Sequence, residues 1–504
     1  MRTFIPPIMH PELFFGFVAP IGAEINTSLS AFRKYFEAVG YRVEEIKVTD
    51  IFHVFSQYVI SETPLKRSNA FERYSTYIKY GDQLRKHFDD DAILAVATIR
   101  RIMRQRIRLK PETPFTKTVF LLHQFKRKEE IDLLRSIYDK LFFQISIYSR
   151  RGARVDSLAR TFSHSSYAFG SNDFRSQAEQ IVQIDENEIA DAHGQRVAKI
   201  FHDADFIVST EAEITTEKQT IRFCESILGS NKISPTRNEY GLFMAKAAAL
   251  RTLDLSRQVG AAIFSKTGEI VALGSNEVPR AGGGTYWCDE VFDDRDYVRG
   301  VDANDERKRE NLADLLKRVG KTEQEIEKAL LSDSIRDSQI MDALEYGRVV
   351  HAEMAALTDA ARLGTPVKDG VLYCTTFPCH MCAKHIVAAG IARVVFLEPY
   401  PKSLAIDLHT DAIQVENGDR GRYQRYPSIH FDHFFGISPR RYRELFERGR
   451  RKDNEGKFLE YINGVRRPNI DYLNPFYNEM EKEIMDSNDD ILAKVVTGTD
   501  GDDP

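Results

Sequence analysis

No apolar run in the sequence approaches the ~18 residues that a membrane-spanning helix needs. The first residues also lack the basic-then-apolar order of a secretory signal. Both absences lead to the expectation of a cytoplasmic protein with no membrane partner. Cysteine is scarce, with five in 504 residues, too few for the disulfide framework of a secreted scaffold. A basic excess is missing as well: 70 Lys and Arg stand against 75 Asp and Glu, for a net charge of −5. A protein whose main work is gripping a polyphosphate backbone carries the opposite balance. The rest of the composition, 42% hydrophobic and 29% charged, is that of an ordinary globular chain. One core does not serve a chain of this length, so two or three domains are expected.

Two of the five cysteines fall in Pro378-Cys379-His380-Met381-Cys382, downstream of His351-Ala352-Glu353. His351, Cys379 and Cys382 offer one nitrogen and two sulfurs. These are three of the four positions of a tetrahedral Zn²⁺, and a catalytic site leaves the fourth open to water. Glu353 is not needed as a ligand. A carboxylate there can take a proton from water and return it to a leaving amine. The order H-x-E, then P-C-x-x-C, is the signature of zinc-dependent nucleobase deamination, and it implies one Zn²⁺ per chain. A structural zinc would want a fourth Cys or His at matching spacing. The nearest, Cys374, lies in an apolar run that reads as a buried strand. A redox pair is the other alternative for a lone C-x-x-C. His380 and His385 read as helix-surface residues.

Apolar spacing predicts a helix over Glu345–Arg362, which puts His351 and Glu353 on it. Val371–Thr376 is β-branched and aromatic, a strand. Pro378 opens a helix from Cys379 to Gly390, and Ala392–Leu397 is a second strand. Both cysteines then sit in a helix's first turn, where the dipole favours thiolates. Upstream, Gln258–Phe264 and Glu269–Ser275 flank Lys266-Thr267-Gly268 as a hairpin, preceded by an Ala-rich helix over Phe243–Leu253.

With Arg257-Gln258-Val259-Gly260-Ala261 and Gly274-Ser275-Asn276-Glu277-Val278-Pro279, the stretch from about Tyr240 to Ile413 resembles the deoxycytidylate deaminases. The resemblance implies a cytidine-deaminase-like α/β/α fold and free deoxycytidine nucleotides as substrate. It also implies that Asn276 binds the sugar 3′-hydroxyl, although an Asn after a strand also serves as a plain turn residue. Tyr400, Lys402 and Ser403 follow the last strand of the metal unit. They read either as a ring and phosphate donors at the pocket mouth or as a Pro-bounded surface loop. An insert over 281–338 opens on three glycines and the only Trp, Trp287, and continues through a charged helix at Asp302–Lys321. Cys288 is a candidate for a second metal, but no partner stands at suitable spacing, so a plain thiol is the reading.

Residues 1–230 carry a different pattern. Leu13–Val18 is a buried-strand run, followed by Ala19-Pro20-Ile21-Gly22 and a helix over Glu24–Val39. Gly16 and Gly22 stand as distant ends of a P-loop, but Ala23-Glu24 replace its Lys and Ser/Thr, and an acid there repels phosphate. Further strands at Lys117–Phe125, Phe142–Ser149 and Ala204–Thr210 predict a doubly wound sheet. Arg150, Arg151, Arg154 and Arg160 follow the second of these as phosphate clamps or as a solvated basic face. The region resembles a nucleotide kinase with a degenerate P-loop, kept to bind a regulatory nucleotide, RNA or a partner.

The fold expected overall is α/β: a P-loop kinase-like sheet over 1–230, a zinc deaminase domain over 231–420, and an extension over 421–504. The pairing resembles the bacterial anti-phage dCTP/dCMP deaminases, which deplete cytidine deoxynucleotides, and implies a homo-oligomer. A housekeeping dCMP deaminase, a tRNA or single-strand editing enzyme, and a regulatory binding module are the competing readings. Phe434–Tyr442 is expected to pack on the pocket or line an oligomer interface, and the acidic tail beyond Ser487 to be disordered.

Overall fold

The computed structural model describes residues 8–66, 69–109, 115–165, 174–186, 193–211, 213–332, 335, 338–400, 402–470, 472 and 475–488. The acidic tail lies outside the described residues. The chain divides into two compact units, Met1–Ser234 with Phe435–Pro504, and Pro235–Phe434. Among the described residues no helix is long and apolar enough to cross a membrane.

The first unit is built on a sheet of β1 (Leu13–Val18), β2 (Arg42–Lys47), β3 (Thr118–His123), β4 (Phe142–Tyr148) and β5 (Phe206–Ser209). The five run parallel in the order β5-β4-β1-β3-β2. The central strand has all six residues buried, as a strand covered on both faces must. Its flanking helices include α1 (Asn26–Ala38), α2 (Ala70–Phe88) and α3 (Ile93–Leu109). The edge strand β2, Arg42-Val43-Glu44-Glu45-Ile46-Lys47, has few apolar residues and was not foreseen; it buries only Val43 and Ile46.

The end of the chain belongs to this first unit and does not form a separate extension. Gly436–Ile437 pairs antiparallel with β5. Arg441 is buried and donates to Asp205 at 3.2 Å and to the Phe142 carbonyl at 2.6 Å. A helix at Tyr477–Ser487 supplies Glu481, which shares the Arg106 guanidinium with Glu12, each at 2.8 Å. Within 434–442, the stretch expected to pack on the pocket or line an oligomer interface, Phe434 and Ile437 are fully buried.

The second unit has β6 (Gly260–Phe264), β7 (Ile270–Ser275), β8 (Val371–Thr376), β9 (Arg393–Glu398), β10 (Ile413–Val415) and β11 (Ile429–His433), in the order β10-β11-β9-β8-β6-β7. β6 pairs antiparallel with both β7 and β8, and the remaining pairings are parallel. The unit runs to Phe434, past the expected boundary at 420, because β11 pairs with β9. Its helices include α4 (Arg237–Ala249), α5 (Ala352–Leu363) and α6 (His380–Ala388). Helix α5 starts seven residues later than its apolar spacing predicts. Val350 and Glu277 exchange backbone hydrogen bonds at 3.1 and 3.2 Å, which holds the approach extended.

Candidate metal centre

His351 is the N-cap of α5, not part of its body, with φ −62° and ψ 152°. Cys379 stands at the same place before α6, with φ −69° and ψ 167°. Two helix starts thus face each other, and each leads a ligand-bearing side chain into the gap. The His351 Nδ1 lies 3.2 Å from the Cys379 Sγ and 3.5 Å from the Cys382 Sγ. All three donor atoms lie within 4.8 Å of one another. A tetrahedron with Zn–N and Zn–S bonds of about 2.0 and 2.3 Å has edges of about 3.5–3.8 Å, so the residues present fit the ion. Among the described residues this is the one group of His, Cys and acidic side chains so arranged. Cys288 is exposed and belongs to none.

The electrostatics favour ligation. The Cys382 thiol, the His351 ring and the backbone hold the Cys379 sulfur well below the usual thiol range, with hydrogen bonding from Cys382 the largest influence. Cys382 is pushed up in turn, because the pair shares one proton. His351 is raised by its hydrogen bond to Cys379. Glu353, in the first turn of α5, is 4% exposed. Burial raises its carboxyl above the ordinary range, and the Cys379 charge adds to the rise. A carboxyl shifted upward in this way suits proton transfer near neutrality.

His351, Glu353 and Cys379 line a cavity of about 180 Å³ together with Asn276 and Tyr400. Asn276 is buried, and most of its hydrogen-bonding capacity is used locally. Its Oδ1 accepts from the Val259 N–H at 2.8 Å, and its Nδ2 donates to Asp254 and to the Arg257 carbonyl at 2.6 and 2.7 Å. This leaves one oxygen lone pair for a ligand hydroxyl. Lys402 points to Asp342 at 2.5 Å, and the Ser403 hydroxyl donates to the Pro378 carbonyl at 2.8 Å. Neither residue lines this cavity.

Other wall residues were given no site role from the sequence. Arg257 comes from the loop before β6, and Asp296, Asp302 and Asn304 come from the insert. Asp302 caps the helix Ala303–Arg318 by accepting from the Asn304 and Asp305 N–H groups. That cap was legible as a helix start, but its position on the cavity wall was not. His380 lies 3.7 Å from Glu345, and His385 is exposed.

The P-loop-like turn has its own occupants. Gly22 has φ +84°, and a Cβ there would stand 2.7 Å from the Arg154 carbonyl. Gly16 lies inside β1 against the Phe142 ring, not in the turn. Glu24 accepts from the Asn26 and Thr27 N–H groups at 2.8 and 2.9 Å. Asp185 accepts from the Ile21 N–H at 2.7 Å and pairs with Lys126 at 2.6 Å. The helix start that would receive phosphate is thus filled by the chain's own carboxylates. Arg150, Arg151 and Arg154 pair with Glu211 and Glu186, and Arg160 donates to the Asp156 carbonyl.

Residues 235–398 match the family described as the cytidine and deoxycytidylate deaminase zinc-binding region. Deoxycytidylate deaminase of phage T4 is 41% identical over 54 residues, 11% of this chain and 28% of that protein. A probable deoxycytidylate deaminase of Drosophila melanogaster is 29% identical over 221 residues, 42% of this chain and 87% of that protein. The chain spans 28–29% of the length of the first curated relatives it matches. A solved dCMP deaminase of cyanophage S-TIM5 is 18% identical, with a TM-score of 0.22, over 40% of this chain and all of that one.

Proposed function

We propose that the second unit hydrolytically deaminates free deoxycytidine nucleotides, dCTP and/or dCMP, to their uracil counterparts with release of ammonia. The observation that carries this reading is Glu353, buried beside two thiols and an imidazole on a cavity wall shared with Asn276 and Tyr400. His351, Cys379 and Cys382 would hold one zinc ion. When bound, zinc supplies Lewis acidity that makes water a nucleophile near neutral pH.

The chain's own residues supply the rest. Glu353 takes a proton from the attacking water and passes it to N3 of the ring as C4 becomes tetrahedral. It then takes the proton of the new C4 hydroxyl and delivers it to the amine as the C4–N bond breaks, which leaves the uracil carbonyl and ammonia. Asn276 offers its remaining lone pair to a sugar hydroxyl, and Tyr400 bounds the cavity beside the metal ligands. Arg257, which also pairs with Glu398 at 2.5 Å, is the arginine on the wall that suits a phosphate. A free nucleotide is already unstacked, so no base flipping is required.

The relatives' names, deoxycytidylate deaminases of phage and animals, support this substrate class. The acidic balance of the chain weighs against editing of nucleic acid. The fusion to a kinase-like unit, as in the anti-phage enzymes it resembles, suits depletion of these nucleotides during infection, with assembly as a homo-oligomer. The test is ammonia release from dCMP, dCTP, CTP and single-stranded DNA by the purified chain. Turnover of a deoxycytidine nucleotide is expected; turnover of single-stranded DNA alone would overturn the reading in favour of editing.

A further inference from the structure

We infer that the first unit binds a free nucleoside polyphosphate, away from its P-loop-like turn, in a cavity of about 720 Å³ beside the carboxyl end of β2. The inference does not depend on the deaminase reading, since every residue it uses belongs to the first unit. Small-molecule pockets occupy about 300–1,000 Å³, and open α/β sheets bind ligands beyond the carboxyl ends of their strands. A second cavity of about 360 Å³ shares Lys47, Thr49, Arg73 and Tyr77 with the first and runs from there to the P-loop-like turn at Gly22–Glu24 and the end of β3.

The charge on the wall points to the ligand. Helix α3 brings Arg100, Arg101 and Arg104 to the cavity, and Lys47 and Arg73 join them from β2 and α2. Two carboxylates line it as well. Glu45 is engaged by Arg33 and His123, both at 2.9 Å, which leaves Asp50. Among the described residues no carboxylate pairs with Lys47, Arg73, Arg101 or Arg104.

Two neighbouring guanidinium groups on α2 and α3 are matched to acids. Arg85 meets Asp82 and Glu130, and Arg106, two residues beyond Arg104, meets Glu12 and Glu481. Arginines one turn apart on a helix repel each other, and a polyanion bound between them relieves that repulsion. Guanidinium groups also match phosphate in shape. Thr49 lines both cavities, and its buried hydroxyl has no hydrogen-bond partner among the described residues. Tyr77 offers a ring beside Arg73, whose guanidinium lies 5.5 Å from its centroid. The P-loop-like turn cannot take this role while Glu24 and Asp185 occupy its N–H groups. The chain's net charge of −5 favours a small phosphorylated ligand over a polynucleotide.

Calorimetric titration of the full chain with ATP, GTP, inorganic tripolyphosphate and a 20-nucleotide single-stranded RNA tests the inference. ATP or GTP is expected to bind and to raise the melting temperature. R101E/R104E should weaken that binding at least about tenfold, whereas E353A should leave it intact. Where the double reversal lowers the melting temperature of the free protein, K47A/T49V replaces it with the same expectation. Failure of ATP, GTP and tripolyphosphate all to bind, or equal affinity in the substituted chains, overturns the site. Binding of the RNA alone overturns the small ligand in favour of a polynucleotide.

Discussion

Glu353 and Cys382 are close neighbours with separable duties. Under the proposed function the carboxylate moves protons and the sulfur holds an ion. Glu353→Gln keeps the size of the side chain and removes its basicity. It is expected to lower deamination by about 10²–10⁴-fold while zinc content, read by elemental analysis, stays that of the parent. Cys382→Ala should reverse the pattern and lose the metal as well as the activity. A filled site in Cys382→Ala, or near-parental turnover in Glu353→Gln, would contradict these assignments. At this scale the sequence was most legible where chemistry depends on residue type. His351, Cys379 and Cys382 were readable from spacing alone, and the fold brings their donor atoms together. Lys402 and Ser403 were not, because a charged or hydroxyl side chain after a strand has many partners to choose from. Here those partners are Asp342 and the Pro378 carbonyl.

Elements were legible where their apolar pattern answers to one core. Leu13–Val18 and Val371–Thr376 form strands with the bounds expected, since an unbroken apolar run has only a buried sheet to enter. The start of α5 was misread because Val349 and Val350 continue the helical spacing, while β-branched residues before a cap also suit an extended bridge. Which backbone they would meet, Glu277, was hidden in a segment more than seventy residues upstream. The position of α5 depends on Gly274 in β7. A Cβ there would stand 2.1 Å from the Ala352 carbonyl oxygen and 2.5 Å from the Ala356 nitrogen. Gly274→Val is therefore expected to push the helix start, and His351 with it, off the sheet. Overpacking of this kind costs about 1–3 kcal/mol, to be read as a shift in chemical denaturation. Weakened zinc retention under chelator should accompany it. Parental stability and metal retention would show that α5 has slack against β7.

At the scale of the whole molecule, the first unit keeps a parallel sheet and a glycine turn but presents acids where a triphosphate would need donors. ATP-dependent phosphate transfer to deoxycytidine is expected to be absent, measured with the full chain and labelled ATP; any turnover above buffer would contradict this. The boundary of the units was the least legible feature, because sequence order suggests segments laid end to end. Gly436–Ile437 and Tyr477–Ser487 instead return to the sheet and helices begun before residue 234. This nesting has a consequence for synthesis. As the chain leaves the ribosome, all of Pro235–Phe434 emerges before the strand that completes the edge of β5 and before the carboxylate of Glu481 that shares Arg106. A nascent chain therefore holds every proposed metal ligand while its first unit is still waiting for its final pieces.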